Sequence, residues 1–156
     1  MTLGVRYETA SPTQLDLANI LRDLVRDHGE TFHGRARFRE GADYNRERVH
    51  TAPGFEVWLL SWLRGQVTPI HDHGGAVTVT TVLSGTLLEE RFERTRGLEV
   101  RPTWTMLRQV GDIDALDPAT IHRVRPIGNA VTLHLYVPSC NDGQIYEAVA
   151  NSAMRA

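Results

Sequence analysis

Two histidines separated by one residue form the clearest chemical signal in the sequence. His71 and His73 flank Asp72 in the segment TPIHDH, whose residue types are those of a short β-strand. Because side chains alternate faces along a strand, both imidazoles are predicted to point to one side and Asp72 to the other. The histidine pair could therefore hold a metal ion, provided that a third ligand lies nearby.

His122, in the separate strand-like segment TIHRV, is a candidate for that third ligand. The ordinary alternative for each of these histidines is a hydrogen-bonded core or surface residue. No cysteine lies near the pair, so a thiolate site is excluded, and the single cysteine, Cys140, is interpreted as a structural or incidental thiol. Three neutral imidazoles would leave open positions on either Fe(II), for O₂ chemistry, or Zn(II), for hydrolysis; the spacing does not choose between them.

A second row of polar side chains lies in the predicted strand AVTLHLYVP. Thr132, His134 and Tyr136 stand at alternate positions, so a hydroxyl, an imidazole and a phenol are predicted to line one face. Such a row can pass hydrogen bonds and a proton toward a metal-bound ligand. The alternative is an amphipathic strand whose polar face contacts water.

One helix and about eight short strands are predicted to position these groups. Ser11 and Pro12 suit the N-cap and first residue of an amphipathic helix over 12–28, which Gly29 is expected to end. The arginine-rich segment 35–48 is predicted to be irregular, and His28, His33 and His50 are interpreted as surface groups in or near helical and loop segments. From Phe55 onward, glycine, proline and asparagine separate eight short β-rich segments, which are FEVWLLSWL, TPIHDH, AVTVTTVLSG, TLLEERFE, TWTMLRQV, GDIDAL, TIHRVRPIG and AVTLHLYVP.

This pattern predicts an all-β fold, a small antiparallel barrel or sandwich of the jelly-roll or cupin type with an N-terminal helical segment. We expect one domain over 1–156, with a helical and irregular part up to residue 50 and a β-barrel over 55–140. The alternating charges of RFERTRGLEVR indicate a solvated hairpin.

The composition excludes several classes of function. All 17 basic residues are arginine, so no lysine can form a Schiff base or bind phosphate in a P-loop. A formal net charge of −2 gives no reason to expect nucleic-acid or membrane binding. One cysteine allows no internal disulfide, and we find neither a membrane-spanning run nor the apolar segment of a secretory signal. We therefore expect a cytoplasmic protein, either a monomer or a homodimer.

Longer segments carry a resemblance to known proteins. Two segments resemble the cupin motifs. The first motif is similar to GQVTPIHDHGG with the following TVLSG, and the second is similar to GDIDALDPATIHRVRPIGN. More specifically, from about Tyr44 to Tyr136 the chain resembles the thiol dioxygenases of the cysteine dioxygenase family, and it looks like a bacterial-type member. The most specific matching parts are YNR at 44–46, Trp62 ahead of PIHDH, HRV at 122–124 and VTLHLYVP at 131–138.

The resemblance implies a role for each matching residue. Non-haem Fe(II) would be bound by His71, His73 and His122. An outer relay would be formed by His134, Tyr136 and Thr132, the last standing where the family often has serine. The substrate site would contain Arg46, which pairs with a carboxylate, together with Tyr44 and Trp62.

The implied activity is an Fe(II)-dependent oxidation of L-cysteine to cysteine sulfinic acid with O₂. 3-Mercaptopropionate is the nearest alternative substrate, but family members that prefer it generally carry glutamine at the position of Arg46, which favours cysteine here. Two alternatives come from other classes: a non-catalytic cupin that binds a small acid or a structural metal, and a zinc cupin with isomerase or hydrolase activity.

Two positions depart from related patterns. Animal-type members cross-link the active-site tyrosine to a cysteine five residues after the second histidine of HDH, where this chain has Thr78. Tyr136 therefore cannot form that thioether. The glutamate that many cupins supply as a fourth ligand is missing, as in other thiol dioxygenases, because the candidate positions are Ala76, Val77 and Thr78.

Overall fold

The computed structural model describes residues 13–139 and 143–149. Within these residues one helix, α1 (Gln14–Arg35), precedes ten strands. The strands are β1 (Asn45–Ala52), β2 (Phe55–Trp62), β3 (Ile70–His71), β4 (Val77–Ser84), β5 (Leu87–Arg96), β6 (Glu99–Arg108), β7 (Ile113–Leu116), β8 (Ile121–Pro126), β9 (Ala130–Val137) and β10 (Ile145–Ala148).

The strands form two five-stranded sheets. One sheet has the order β1-β2-β9-β4-β7, with every neighbouring pair antiparallel. The other, β10-β3-β8-β5-β6, closes on itself because β10 pairs antiparallel with β3 and parallel with β6. The predicted small β-barrel with a helical lead-in is confirmed, and RFERTRGLEVR forms the predicted hairpin at the end of β5 and the start of β6.

Helix α1 begins later and ends later than the sequence pattern predicts. Thr13 is the N-cap and forms a capping box with Asp16, whereas Ser11 and Pro12 lie outside the described residues, as does Cys140. The helix passes through Gly29 and ends at Arg35, so the predicted end was wrong. A glycine inside a helix costs only about 1 kcal/mol, and burial of Phe32 in the last turn extends the apolar face beyond it.

Two strands lie where the sequence pattern gave none. β1 occupies part of the segment 35–48 that was predicted to be irregular, and β10 extends the barrel beyond residue 140. Half-buried His50 therefore lies in a strand rather than in a surface loop, whereas His28 and His33 lie in α1 as expected. The sequence of segment 35–48 did not indicate β1 because few side chains of β1 are buried and β1 pairs only with β2 in its sheet. The β1 sequence therefore lacks the apolar alternation of a core strand.

Side chains along the central strands β2, β4 and β9 alternate between a face that packs against α1 and a face that points into the barrel. One face of β2, β4 and β9 packs against α1 through an apolar cluster that includes Leu59, Val79 and Leu133. The other face points into the barrel and carries the polar side chains predicted to do chemistry, among them His134. Among the described residues, no helix is long and apolar enough to cross a membrane.

Candidate active site

Three histidines converge inside the barrel. His71 is the last residue of β3, His73 follows it by two positions, and His122 on β8 is the direct antiparallel partner of His71. One nitrogen from each ring lies within 4.8 Å of the corresponding nitrogen of the other two. The short β3 and its pairing with β8 thus bring together residues that lie about fifty positions apart in the sequence.

Hydrogen bonds fix the tautomers of two of these rings. His71 Nδ1 lies 2.9 Å from the carbonyl oxygen of Pro69, which can only accept, so Nδ1 carries the proton. His122 Nδ1 lies 3.1 Å from the Glu89 carboxylate and donates to it. The Nε2 atom of each ring therefore keeps its lone pair, and that of His122 is buried with no hydrogen-bond partner among the described residues.

Asp72 points away from the cluster, as the alternation predicts. Its Oδ1 accepts hydrogen bonds from the backbone N–H groups of Gly74 and Gln144 at 3.0 and 2.9 Å. Its Oδ2 accepts one from the Tyr146 hydroxyl at 2.7 Å. The carboxylate thus anchors the segment before β10 and offers the histidines no fourth ligand.

Burial lowers the pKa of two histidines of the cluster and of His134 beside it. Desolvation, together with the nearby His122 ring, lowers the pKa of His71 to about 4 and that of His73 to about 2. Burial and the charge of Arg46 lower the pKa of His134 to about 3. Neutral imidazole is the form of histidine that binds metal ions, so the electrostatics prepare the cluster for a cation.

The residues fit a first-row divalent metal ion. The set is three imidazole nitrogen donors without thiolate or carboxylate, which suits iron or zinc and leaves coordination positions open. A cation there would also satisfy the buried Nε2 atom of His122.

The polar row on β9 forms a hydrogen-bonded chain at one end. The Trp62 indole N–H donates to Thr132 Oγ1 at 3.0 Å, and Thr132 Oγ1 lies 2.8 Å from His134 Nε2. Tyr136, next on this face, has its ring centre 5.9 Å from that of His73 and 6.2 Å from that of His134. Trp62 and Thr132 are almost fully buried, so the chain runs from the core toward the histidine cluster.

The predicted substrate residues lie at or just before the start of β1 and at the end of β2. Arg46 is exposed on β1, and its guanidinium carbon lies 4.7 Å from the centre of the Trp58 ring. Tyr44 stacks on Trp62 with ring centres 3.9 Å apart. Because the only polar atom of the Trp62 side chain already bonds Thr132, the donors that the predicted substrate set can offer a ligand belong to the Arg46 guanidinium and the Tyr44 hydroxyl.

Gln66 holds the loop that leads to Arg46, and the sequence did not single it out. Its buried side-chain nitrogen lies 2.9, 3.0 and 2.9 Å from the carbonyl oxygens of Arg39, Gly41 and Asp43. Its side-chain oxygen accepts the backbone N–H of Leu63 at 2.7 Å. A glutamine five residues before HDH was the available signal, but its partners lie more than twenty positions away.

The comparisons with known proteins identify the family of the chain. The family model for cysteine dioxygenase type I matches residues 33–148. The chain belongs to the cysteine dioxygenase family. This is a family of metal-dependent oxygenases that act on small thiols, and the matched range contains all nine predicted site residues.

Curated relatives support the same assignment. Cysteine dioxygenase type 1 from Homo sapiens is 31% identical to the chain over 102 residues, covering 61% of the chain and 51% of the human protein. The same protein from Pongo abelii matches with the same identity and coverage. The chain spans about half the length of the curated relatives it matches.

Solved structures show the fold alone. A Klebsiella pneumoniae protein with a double-stranded β-helix domain aligns with a TM-score of 0.56 and 18% identity, covering 74% of this chain and 94% of that one. A cupin superfamily protein from Desulfitobacterium hafniense aligns with a TM-score of 0.51 and 13% identity, covering 65% and 83%. The predicted cupin fold is therefore confirmed.

Proposed function

We propose that this protein is an Fe(II)-dependent thiol dioxygenase that converts L-cysteine and O₂ to cysteine sulfinic acid. The observation that carries the proposal is the convergence of His71, His73 and His122, whose ring nitrogens lie within 4.8 Å of one another, near Arg46, whose charge helps to lower the pKa of His134. Family membership supports the reaction class. The reaction is balanced, because the thiol sulfur gains both oxygen atoms of one O₂ molecule.

The three histidines would hold the metal through their free ring nitrogens. Fe(II) bound there would supply a centre for the oxidation of a thiol by O₂, and its positive charge would favour the thiolate over the thiol. Surrounding burial excludes water and strengthens the electrostatic interactions inside the site. The protein's own contribution is therefore to bind, orient and desolvate the reactants.

Arg46 is proposed to bind the substrate carboxylate. A guanidinium presents donors in a planar arrangement that matches a carboxylate in two parallel hydrogen bonds. The positive charge of Arg46 acts on the site, because it is the second largest cause, after burial, of the lowered pKa of His134. Stacking on Trp58 orients the guanidinium before a substrate arrives.

Tyr136 and His134 are proposed to hold and move the proton of the reacting groups. The Tyr136 side chain lies next to His73, so its phenol can reach a ligand bound beside that histidine. His134 is neutral and is held at Nε2 by Thr132, whose hydroxyl in turn accepts from Trp62. We assign Trp62 and Tyr44 to holding this arrangement, with Tyr44 also bordering the substrate.

Oxygen uptake by iron-loaded protein tests the proposal. Protein loaded with Fe(II) under anaerobic conditions is mixed with aerated L-cysteine, 3-mercaptopropionate or cysteamine in an oxygen electrode, and the product is identified with ¹⁸O₂. We expect cysteine to give a sulfinic acid with two labelled oxygens. Iron-loaded protein that consumes no O₂ with any thiol would overturn the proposal, and bound zinc in protein as isolated would then favour the zinc or non-catalytic alternatives.

The choice of thiol tests the role of Arg46 separately. Faster turnover of 3-mercaptopropionate would change the substrate within the same reaction class. A strong response to cysteamine, which lacks a carboxylate, would count against carboxylate binding by Arg46. The cytoplasmic location and the monomeric or homodimeric state expected from the sequence remain predictions.

A further inference from the structure

A buried cluster of charged residues lies behind His122. Glu89 on β5 is only 3% exposed, and its side chain faces the barrel interior. Its Oε1 accepts hydrogen bonds from His122 Nδ1 at 3.1 Å and from Arg91 Nε at 2.6 Å, and its Oε2 accepts one from Arg108 Nε at 2.8 Å. The carboxylate is therefore held from three directions.

Asp114 closes the cluster from the other sheet. Its Oδ2 lies 2.7 Å from Arg91 Nη2 and 2.8 Å from Arg108 Nη2. Two carboxylates and two guanidinium groups thus balance each other's charge in a region with little solvent access. Such an arrangement is favourable only when each buried charge keeps its partners, which makes the position of the Glu89 carboxylate rigid.

The adjacent glutamate has a different environment. Glu90 points to the opposite side of β5 and forms a two-point ion pair with Arg123 at 2.8 and 2.9 Å. Its side chain is 18% exposed, compared with 4% for Glu89. The pair of neighbouring glutamates therefore offers one residue that contacts His122 and one that does not.

We propose that Glu89 is a positioning residue that fixes the tautomer and ring orientation of His122 for metal binding. The Arg91–Asp114–Arg108 group in turn fixes Glu89. Both oxygens of Glu89 accept hydrogen bonds from these arginines or from His122, so the proton of His122 stays on Nδ1 and the lone pair on Nε2 faces the other two histidines. The inference rests on the metal site of the proposed function, but not on the thiol chemistry.

Electrostatics agree with an ionised Glu89. Burial raises its pKa, but the hydrogen bond from His122 and the charge of Arg91 outweigh burial, so the pKa of Glu89 lies below its usual value. A carboxylate bonded to the far nitrogen also increases the electron density at Nε2, which strengthens a metal–nitrogen bond.

Metal binding in the absence of thiol tests the inference. Co(II) is titrated into apo-protein, and its visible absorption and competition with a chelator give the affinity of wild type, Glu89→Gln and Glu90→Gln. Loss of such an outer partner weakens metal binding by roughly 10- to 100-fold, so we expect that loss for Glu89→Gln and less than about two-fold change for Glu90→Gln. Wild-type affinity in a folded Glu89→Gln variant would overturn the inference.

Two further measurements keep the inference testable if Glu89→Gln does not fold. Glu89→Asp keeps the negative charge but shortens the side chain, and it should weaken Co(II) binding without exposing unpaired arginines. In wild-type apo-protein, long-range ¹H–¹⁵N spectra should show His122 protonated at Nδ1; protonation at Nε2 would refute the inference without any variant.

The outcomes separate this inference from the proposed function. Wild-type protein that binds Co(II) but, loaded with iron, shows no thiol-dependent O₂ uptake would refute the dioxygenase and leave the role of Glu89 intact. Wild-type protein that binds no Co(II) would refute both. Full dioxygenase activity together with unchanged Co(II) affinity in Glu89→Gln would refute only the role of Glu89.

Discussion

Thr78 on β4 is the direct antiparallel partner of Tyr136 on β9. Its side chain is fully buried, and its hydroxyl has no hydrogen-bond partner among the described residues. Directly opposed residues on neighbouring strands have Cβ atoms about 5 Å apart. The position at which animal-type relatives carry the cross-linking cysteine is therefore occupied here by a residue in contact range of the same tyrosine.

The first prediction is that Thr78→Cys enables a thioether between residue 78 and Tyr136. Turnover of iron-loaded protein with cysteine and O₂ should remove one hydrogen from the thiol and one from the ring, with O₂ as oxidant. Mass spectrometry should show a fraction of the protein lighter by two hydrogens, together with a linked peptide. Thr78→Ser is the matched control and should stay unmodified; an unmodified Thr78→Cys protein after extensive turnover would contradict the prediction.

The second prediction separates a metal ligand from a proton-handling residue. His71→Ala should lose both bound iron and activity, because two imidazoles hold the ion poorly. Tyr136→Phe keeps the three histidines, so it should retain iron while kcat falls roughly 100-fold. Metal analysis and oxygen uptake on the same samples measure both quantities. A fully active His71→Ala variant, or loss of iron from Tyr136→Phe, would disagree with the assigned roles.

The third prediction concerns the Trp58 ring under Arg46. Replacing it with leucine removes a cation–π contact of ~0.5–1 kcal/mol, so KM for cysteine should rise by roughly two- to five-fold while kcat changes little. Arg48, whose guanidinium carbon lies 5.7 Å from the same ring centre, supplies the control. Arg48→Met should leave KM for cysteine unchanged. A lower kcat with unchanged KM in Trp58→Leu would show that the ring does not act through Arg46.

The fourth prediction is a loss of apo-protein stability on mild acidification. Unfolded histidines protonate near pH 6.5, whereas burial and neighbouring charge lower the folded pKa of His71, His73 and His134 to about 4, 2 and 3. Below pH 6.5 the unfolded chain therefore binds more protons than the folded one, and the free energy of unfolding falls as pH falls. Each such imidazole contributes up to ~1.4 kcal/mol per pH unit in that window.

Urea unfolding of apo-protein at several values between pH 7.5 and 5 measures this effect. His134→Gln removes one of the three titrating groups and is predicted to lessen the pH dependence by roughly one third. Unfolding free energy that stays constant across the range would contradict the pKa values of the buried histidines.

The histidine cluster could be predicted from the sequence because its main signal is local. The alternation of His71, Asp72 and His73 gives the direction of each side chain without knowledge of the fold, and the structure places Asp72 on the opposite side as expected. His122 was identified as a candidate by its strand context. Its pairing with His71 depends on a strand register that no short segment contains.

Glu89 was missed because its neighbours suggest a solvated strand. Within LLEERFER the charges look like one exposed face, although Leu87 and Glu89 share a side of the strand and Leu87 belongs to the core. Because side chains two positions apart on a strand point to the same face, the burial of Leu87 would have predicted that Glu89 points into the barrel. Its partner Arg108, and Asp114, which binds the two arginines, come from other strands, so these contacts follow only from the folded sheet arrangement.

The amide of Gln66 connects two chain segments that lead to predicted site residues. It connects the chain just ahead of β1, which carries Arg46, to the segment that continues into the HDH motif. Replacing residues 39–46 with those of a relative that prefers another substrate would break the hydrogen bonds of the Gln66 amide, unless residue 66 is exchanged as well. We therefore expect a change of thiol selectivity to require exchange of residues 39–46 together with residue 66, rather than a change at residue 46 alone.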